Sequence, residues 1–295
     1  MAPQPPLPKD SIRRIYTNLL KQAPPGEYSV LFDDLRIMHP DEDLLLEQTQ
    51  TTLIEFNHKN FEVVQHPDIR KTLLTKYNLI GTGDGHDTQY VEPNSNKVFT
   101  YDHVGKLITD VKDNPHKHDS EQVSWRLALQ KELDVYINNH FQKHGVGAVF
   151  FYQNNIVLCI GSHKYQKRNC YNGRWASAWQ IPAFSTERVA HSVTGHIDVL
   201  THYFEDGNVQ MALKKNITLN VAYSTDLEAA AKMVMKCISE AENAYAVAIH
   251  EKFNQFSDQT FKALRRPLPI TRAKMDWQKL HSYRLVKTMG NQPNA

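Results

Sequence analysis

Apolar residues change their spacing several times along the chain, and each change predicts a different element. The Pro-rich start to Pro8 can bury almost nothing and is expected to be disordered. Ser11 stands where a helix cap would, ahead of Ile12, Ile15 and Leu19 on one side, and Ala23-Pro24-Pro25-Gly26 ends that helix. Two further helices are expected over roughly 29–37 and 41–58. From Phe61 to Tyr101 the apolar runs shorten to Phe61–Val64, Leu73–Ile80 and Lys97–Tyr101, separated by turns rich in Gly, Asp and Asn, the mark of strands.

A long helix is predicted from Asp119 to His144. Asp119 and Gln122 are spaced like a capping box, Gly145 closes the helix, and Trp125, Leu129, Leu133, Tyr136, Ile137 and Phe141 form its apolar side. Five apolar, β-rich runs follow: Val146–Tyr152, Ile156–Gly161, Arg174–Phe184, Val189–Phe204 and Val209–Tyr223. Short links between consecutive strands imply an antiparallel meander. A second long helix opens with Thr225 and Glu228 at capping-box spacing and runs to about Phe256. Its stripe of Leu227, Ala230, Val234, Cys237, Ile238, Ala241, Tyr245, Ala248 and Ile249 is the side expected to lie on the sheet.

The last segment behaves differently. Pro267 and Pro269 interrupt any helix, and beyond them Trp277, Leu280, Tyr283 and Val286 recur every three residues, while Met275, Leu285 and Met289 fall elsewhere around the cylinder. Apolar and basic positions are interleaved, which suits a partner touching several sides better than a core. The pattern as a whole predicts an α+β fold. It divides into a start over 1–10, a helical unit over 11–60, a sheet region over 61–224 interrupted by the helix at 119–144, a sheet-covering helix over 225–257, and a basic C-terminal segment over 258–295.

The chain has 295 residues, 41% of them hydrophobic, enough to bury a real core. No window approaches the ~18–20 consecutive apolar residues of a membrane-spanning helix, and the N-terminus lacks a secretion signal; a soluble cytoplasmic protein is expected. The three cysteines, Cys159, Cys170 and Cys237, are odd in number and widely spaced, so buried free thiols are expected rather than disulfides or zinc ligands. The net charge of +2 conceals an asymmetry. Between Thr260 and Ala295 eight Lys or Arg face one acid, Asp276, so the tail carries seven net positive charges and the preceding residues five net negative ones. Such a tail suits an acidic partner.

Candidate chemistry is weak. His116 and His118 lie two apart in a polar loop, and His191 and His196, near Asp198, have opposite parity on a predicted strand, so neither pair has the geometry of a strong metal site. Gly81-Thr82-Gly83-Asp84-Gly85 matches neither a dinucleotide fingerprint nor a P-loop and reads as a turn. There is no G-x-S-x-G elbow and no His placed by the sequence beside a Cys. Asn216-Ile217-Thr218 is a glycosylation sequon that matters only in a secreted protein. No catalytic centre, cofactor or metal is expected, and the protein is not expected to be an enzyme.

Two stretches are more specific. Thr201-His202-Tyr203-Phe204-Glu205-Asp206-Gly207-Asn208-Val209 resembles a signature of the α subunit of F-actin capping protein, and Phe261-Lys262-Ala263-Leu264-Arg265-Arg266-Pro267-Leu268-Pro269 resembles the second. Ala23-Pro24-Pro25-Gly26-Glu27, Asn172-Gly173-Arg174-Trp175 with Trp179, Ala241-Glu242-Asn243, Thr271-Arg272 and Asp276-Trp277 extend the similarity from about Ser11 to Met289. Thr201 replaces a usual Val, Pro267 a polar residue, and Ala176 and Ala178 replace charged residues of what is expected to be a surface.

The resemblance implies a helical N-terminal unit, an antiparallel sheet continued by the strands of a β subunit, a long helix across it and a mobile C-terminal tentacle. It implies an obligate heterodimer that caps actin filament barbed ends without calcium. Carried over position by position, Lys262, Arg266 and Arg272 correspond to basic actin contacts and also to a phosphoinositide site. Charge adds Arg265 and Lys274 as actin contacts; Leu268, Ile270, Trp277 and Leu280 are the apolar candidates. Myotrophin, proteins with capping-protein-interaction motifs and dynactin are further implied partners. The alternatives are an end cap on the dynactin filament, an anchor at the Z-disc, or, from another class, nucleic-acid binding through the basic tail with Trp277 and Tyr283. The acidic body, which would repel phosphates, opposes the last.

Overall fold

A computed structural model describes residues 9–38, 42–82, 87–116, 119–141, 144–153, 155–166, 168, 170–184, 190–204 and 209–256. It forms two compact units, Met1–Glu240 and Ala241–Ala295.

Three helices open the first unit: α1 (Lys9–Lys21), α2 (Tyr28–Met38) and α3 (Glu42–Asn60). Helix α1 begins two residues before Ser11, which therefore sits in its first turn and not at the cap. Leu20, Tyr28, Phe32, Leu35, Leu45 and Leu53 form the core between these helices, and the ring centroids of Tyr28 and Phe56 lie 4.2 Å apart.

A hairpin, β1 (Glu62–His66) with β2 (Ile69–Leu74), leads into a four-stranded antiparallel sheet of β3 (Leu79–Thr82), β4 (Asp87–Glu92), β5 (Lys97–Asp102) and β6 (Leu107–Asp113). The expected strand Leu73–Ile80 is thus two strands with a turn between them. Asn78 makes that turn: its Oδ1 accepts from Thr75 N and Oγ1, and its Nδ2 donates to the carbonyls of Leu73 and Val91. Such side-chain bonding to local backbone competes with strand continuation. Strands β4 and β6 escape the hydrophobic pattern because Asp, Thr, Gln and Lys interrupt them; they are held by register to β5.

The central sheet is a five-stranded meander in the order β11-β10-β9-β8-β7, all antiparallel. Its strands are β7 (Gly145–Tyr152), β8 (Asn155–Gln166), β9 (Tyr171–Ile181), β10 (Ala190–Tyr203) and β11 (Val209–Ala222). On one face Val146, Ala148, Phe150, Val157, Cys159, Ala176 and Ala178 pack with Phe61 and Leu73. Across the other face runs α4 (Ser120–His140). Gly147 permits this approach, since a Cβ there would collide with Leu133 and Ile137. Trp125, 1% exposed, packs at tilted angles against Phe184 and Tyr223 and donates through Nε1 to the Pro182 carbonyl.

Both predicted caps are corrected. Asp119 occupies the N-cap of α4 but makes no side-chain cap bond, and Gly145 is the first residue of β7, the helix ending at His140. Helix α5 (Leu227–Phe256) is capped by Asp226, whose Oδ2 accepts from Ala229 N at 2.9 Å; the carboxylate also complements the helix dipole. Ala230, Ala231, Val234, Met235 and Ile238 of α5 are buried. Past Glu240 the predicted stripe is not a buried one: Ala248 is exposed, as are its neighbours Val247 and Phe253.

Helix α3 is locked to the four-stranded sheet by a polar chain. Asn57 Nδ2 donates to His103 Nδ1 at 2.8 Å, which leaves Nε2 as the protonated nitrogen. Nε2 lies 2.6 Å from Thr88 Oγ1 and 2.9 Å from the Tyr90 hydroxyl, which in turn lies 2.6 Å from His58 Nε2. Burial pushes both histidines down to about 4, so the chain is neutral at pH 7.

Candidate interface

Lys262, Arg265, Arg266, Leu268, Ile270, Arg272, Lys274, Trp277 and Leu280, the positions carrying the expected actin and phosphoinositide contacts, lie outside the described residues. What the described residues do locate is the set of stretches that make the chain recognisable, and three of them converge on one joint. Glu27 Oε1 sits 2.8 Å from His202 Nδ1 and accepts from Asn172 Nδ2 at 3.3 Å. Gly26, at φ +77°, lies against the ring of Tyr165, where a Cβ would crowd the ring at 3.0 Å. Phe204 N donates to the Cys170 carbonyl. Beside this joint Arg174, 6% exposed, donates through Nη1 to Asn60 Oδ1 at the end of α3. The Pro-Pro-Gly-Glu, Asn-Gly-Arg and His-Tyr-Phe stretches therefore join the helical unit to β9 and β10, a structural role.

Ala176 and Ala178 correct another expectation. Each is 3% exposed and lies in the core of the sheet face covered by Phe61 and Tyr77, so they are not part of a surface. Their small side chains let those aromatic rings approach the sheet.

The histidines are dispersed. His116 is exposed, and His191 stacks on Tyr223, with centroids 4.1 Å apart. His196, on the other face of β10 from His191, pairs across the strands with Ala178. Among the described residues no group of three His, Cys, Asp or Glu could hold a metal ion. Of the cysteines only Cys159 is buried; Cys170 and Cys237 are partly exposed. Desolvation raises the Cys159 thiol pKa well above its usual value, which leaves it unreactive. The Gly81–Gly85 stretch lies partly outside the described residues.

The two edges of the central sheet differ. Along β7, Gln130 of α4 donates through Nε2 to the Gly147 carbonyl at 3.3 Å and accepts through Oε1 from Val149 N at 3.0 Å. One side-chain amide thus occupies two of the backbone groups a further strand would use, in the middle of β7. Asp134 holds this amide in place by accepting from the same Nε2, and Asp134 is itself paired with Arg70 at 2.6 Å. No strand among the described residues lies outside β11, which is fourteen residues long. Met211, Leu213, Ile217, Leu219 and Val221 alternate along one face of that strand, with only Val221 fully buried. Exposed Met233, Val247 and Phe253 add apolar surface on α5.

The role of Gln130 is not anticipated from the sequence, although a signal exists. Arg126 and Gln130 are polar residues four apart on the stripe that continues through Leu133 and Ile137, and both are 3% exposed. Polar residues on a buried stripe need specific partners.

Comparison with known proteins places these features in context. The profile of the F-actin capping protein alpha subunit matches residues 16–288. The F-actin-capping protein subunit alpha of Caenorhabditis elegans is 39% identical over 277 residues, covering 94% of this chain and 96% of that protein. That of Dictyostelium discoideum is 31% identical over 282 residues, covering 94% and 96%. Among solved structures, the homodimeric actin capping protein alpha subunit from Plasmodium berghei aligns with a TM-score of 0.74 at 20% identity, covering 86% of this chain and 95% of that one, a likeness of fold.

Proposed function

Because the chain belongs to the F-actin capping protein alpha subunit family, a family of actin-binding proteins and not of enzymes, we propose that it pairs with a β subunit into a heterodimer. That heterodimer binds filament barbed ends without calcium and blocks subunit exchange. Full-length similarity to the nematode subunit at 39% identity carries this reading. The outer edge of β11, beside which no described strand lies, supports it physically: a long strand edge with a half-covered apolar face is an aggregation liability that a partner strand removes. On the β7 edge Gln130 already holds the Gly147 carbonyl and the Val149 N–H, which leaves a shorter free stretch than β11.

In this reading the basic tail steers the encounter with acidic actin and its apolar residues slow departure. Lys262, Arg266 and Arg272 serve both actin and phosphoinositide headgroups, so the two compete and salt weakens both. The protein works in the cytoplasmic actin cytoskeleton, with myotrophin, capping-protein-interaction motifs and dynactin as further partners.

The test is elongation of pyrene-labelled actin from filament seeds, with the chain alone and co-expressed with a β subunit. Arrest at nanomolar heterodimer and little from the chain alone is the expected result. Unimpeded elongation with a well-folded heterodimer rejects the reading. A second use of the same edge is pairing with another copy of this chain, since the Plasmodium berghei alpha subunit is homodimeric; light scattering of the chain purified alone separates the two uses.

A further inference from the structure

Between α4, β7 and the β4–β5 turn lies a cleft of about 560 Å³, within the ~300–1,000 Å³ range of small-molecule sites. Among the described residues no carboxylate and no lysine lines it, and the one guanidinium is that of Arg126, only 3% exposed. Arg126 Nη1 donates to Asn94 Oδ1 at 2.9 Å, and the guanidinium carbon lies 6.0 Å from the centroid of the Phe151 ring. Among the described residues Arg126 forms no ion pair. The acid that acts on it through space, Glu92, is itself bonded to the backbone N–H groups of Asn94 and Ser95. A buried cation without a bonded carboxylate is costly, and the cleft leaves this one reachable.

The surrounding donors fit the same ligand. Asn94 Oδ1 is taken by Arg126 and Asn96 Oδ1 by Asn114, so each amide has N–H groups left to offer. Opposite them Val123 and Leu127, the latter 50% exposed, supply an apolar wall. We propose that this cleft binds a small organic monocarboxylate with an apolar body, its carboxylate held by Arg126 and the Asn94 and Asn96 amides and its body against Val123 and Leu127. One planar guanidinium fork with neutral donors matches a single carboxylate. A phosphate, with close to two negative charges at pH 7, would call for a second full cation, and among the described lining residues the only other group that can take a proton is the imidazole of His116.

The test uses the full-length chain co-expressed with a β subunit, titrated by calorimetry with 3-phenylpropionate, 3-phenylpropionamide and inorganic phosphate. Saturable binding of the acid with a Kd on the order of 1 mM is expected, with the amide and phosphate at least about tenfold weaker. Asn96→Asp, at an exposed position, adds a repelling carboxylate and should weaken the acid by about tenfold while melting like wild type. Arg126→Gln should abolish binding if it folds, and Asn96→Asp decides the matter if it does not. Amide or phosphate binding as tightly as the acid, an unchanged Asn96→Asp variant, or no saturation by about 20 mM overturns the proposal.

Discussion

Glu27 and His202 stand 175 positions apart and meet at 2.8 Å, Oε1 against Nδ1. This contact fastens the α1–α2 turn to β10, and the His202 side chain is only 4% exposed. Glu27→Ala removes one hydrogen-bond partner of the buried His202, and His202→Ala removes one of the two partners of Glu27 Oε1, so each should cost about 1 kcal/mol. Urea denaturation of the two single variants and the double variant should give a double loss smaller than the sum of the singles, the sign of a shared interaction. Strictly additive losses would mean that the contact contributes nothing.

Acid should destabilise the joint between α3 and the sheets. Burial holds His58, His103 and His163 down at about 4, against 6.5 for a free histidine. The unfolded chain therefore takes up protons between pH 6.5 and 4 that the folded chain refuses. Stability is intact above about pH 6.5 and falls as pH drops toward 4, by at most about 1.4 kcal/mol per pH unit per histidine. Urea midpoints measured from pH 7.5 to 4.5 should fall steadily, and His103→Gln should flatten the slope.

Gly195 faces Trp179 across β9 and β10, and a Cβ at that position would enter the indole ring. Trp179 is fully buried and has nowhere to move. Gly195→Ala should cost about 1–3 kcal/mol through overpacking, seen as a lower melting temperature; an unchanged melting temperature would show that the sheet relaxes there.

If the basic tail steers the encounter with actin as proposed, reversing Lys262, Arg266 and Arg272 to Glu should slow barbed-end association far more than it alters heterodimer stability. Pyrene-actin elongation at low salt reads the on-rate, and the melting curve reads the stability. Equal on-rates for variant and wild type would remove these residues from the contact.

One amide caps the middle of the β7 edge. Gln130→Leu keeps the side chain's bulk but strands the Gly147 carbonyl and the Val149 N–H, at a cost of about 1–3 kcal/mol. Increased self-association in analytical ultracentrifugation should accompany it, since the freed edge can pair.

The alternation of helix and strand, the five-strand meander, the apolar side of α4 and the family itself were legible from residue order, because periodicity, turn residues and signature stretches are properties of short windows. Capping was less legible, since Asp119 and Asp226 compete with neighbours of similar chemistry and only backbone geometry chooses between them. Tertiary structure alone decided that Ala176 and Ala178 are core, that Glu27 serves His202, that Gln130 bonds the middle of one sheet edge while no described strand lies outside β11, and that Arg126 looks into a cleft. Each of these depends on which polar or small side chains meet across many tens of residues. Desolvation and hydrogen-bond pairing set their energies only once the chain has brought them together.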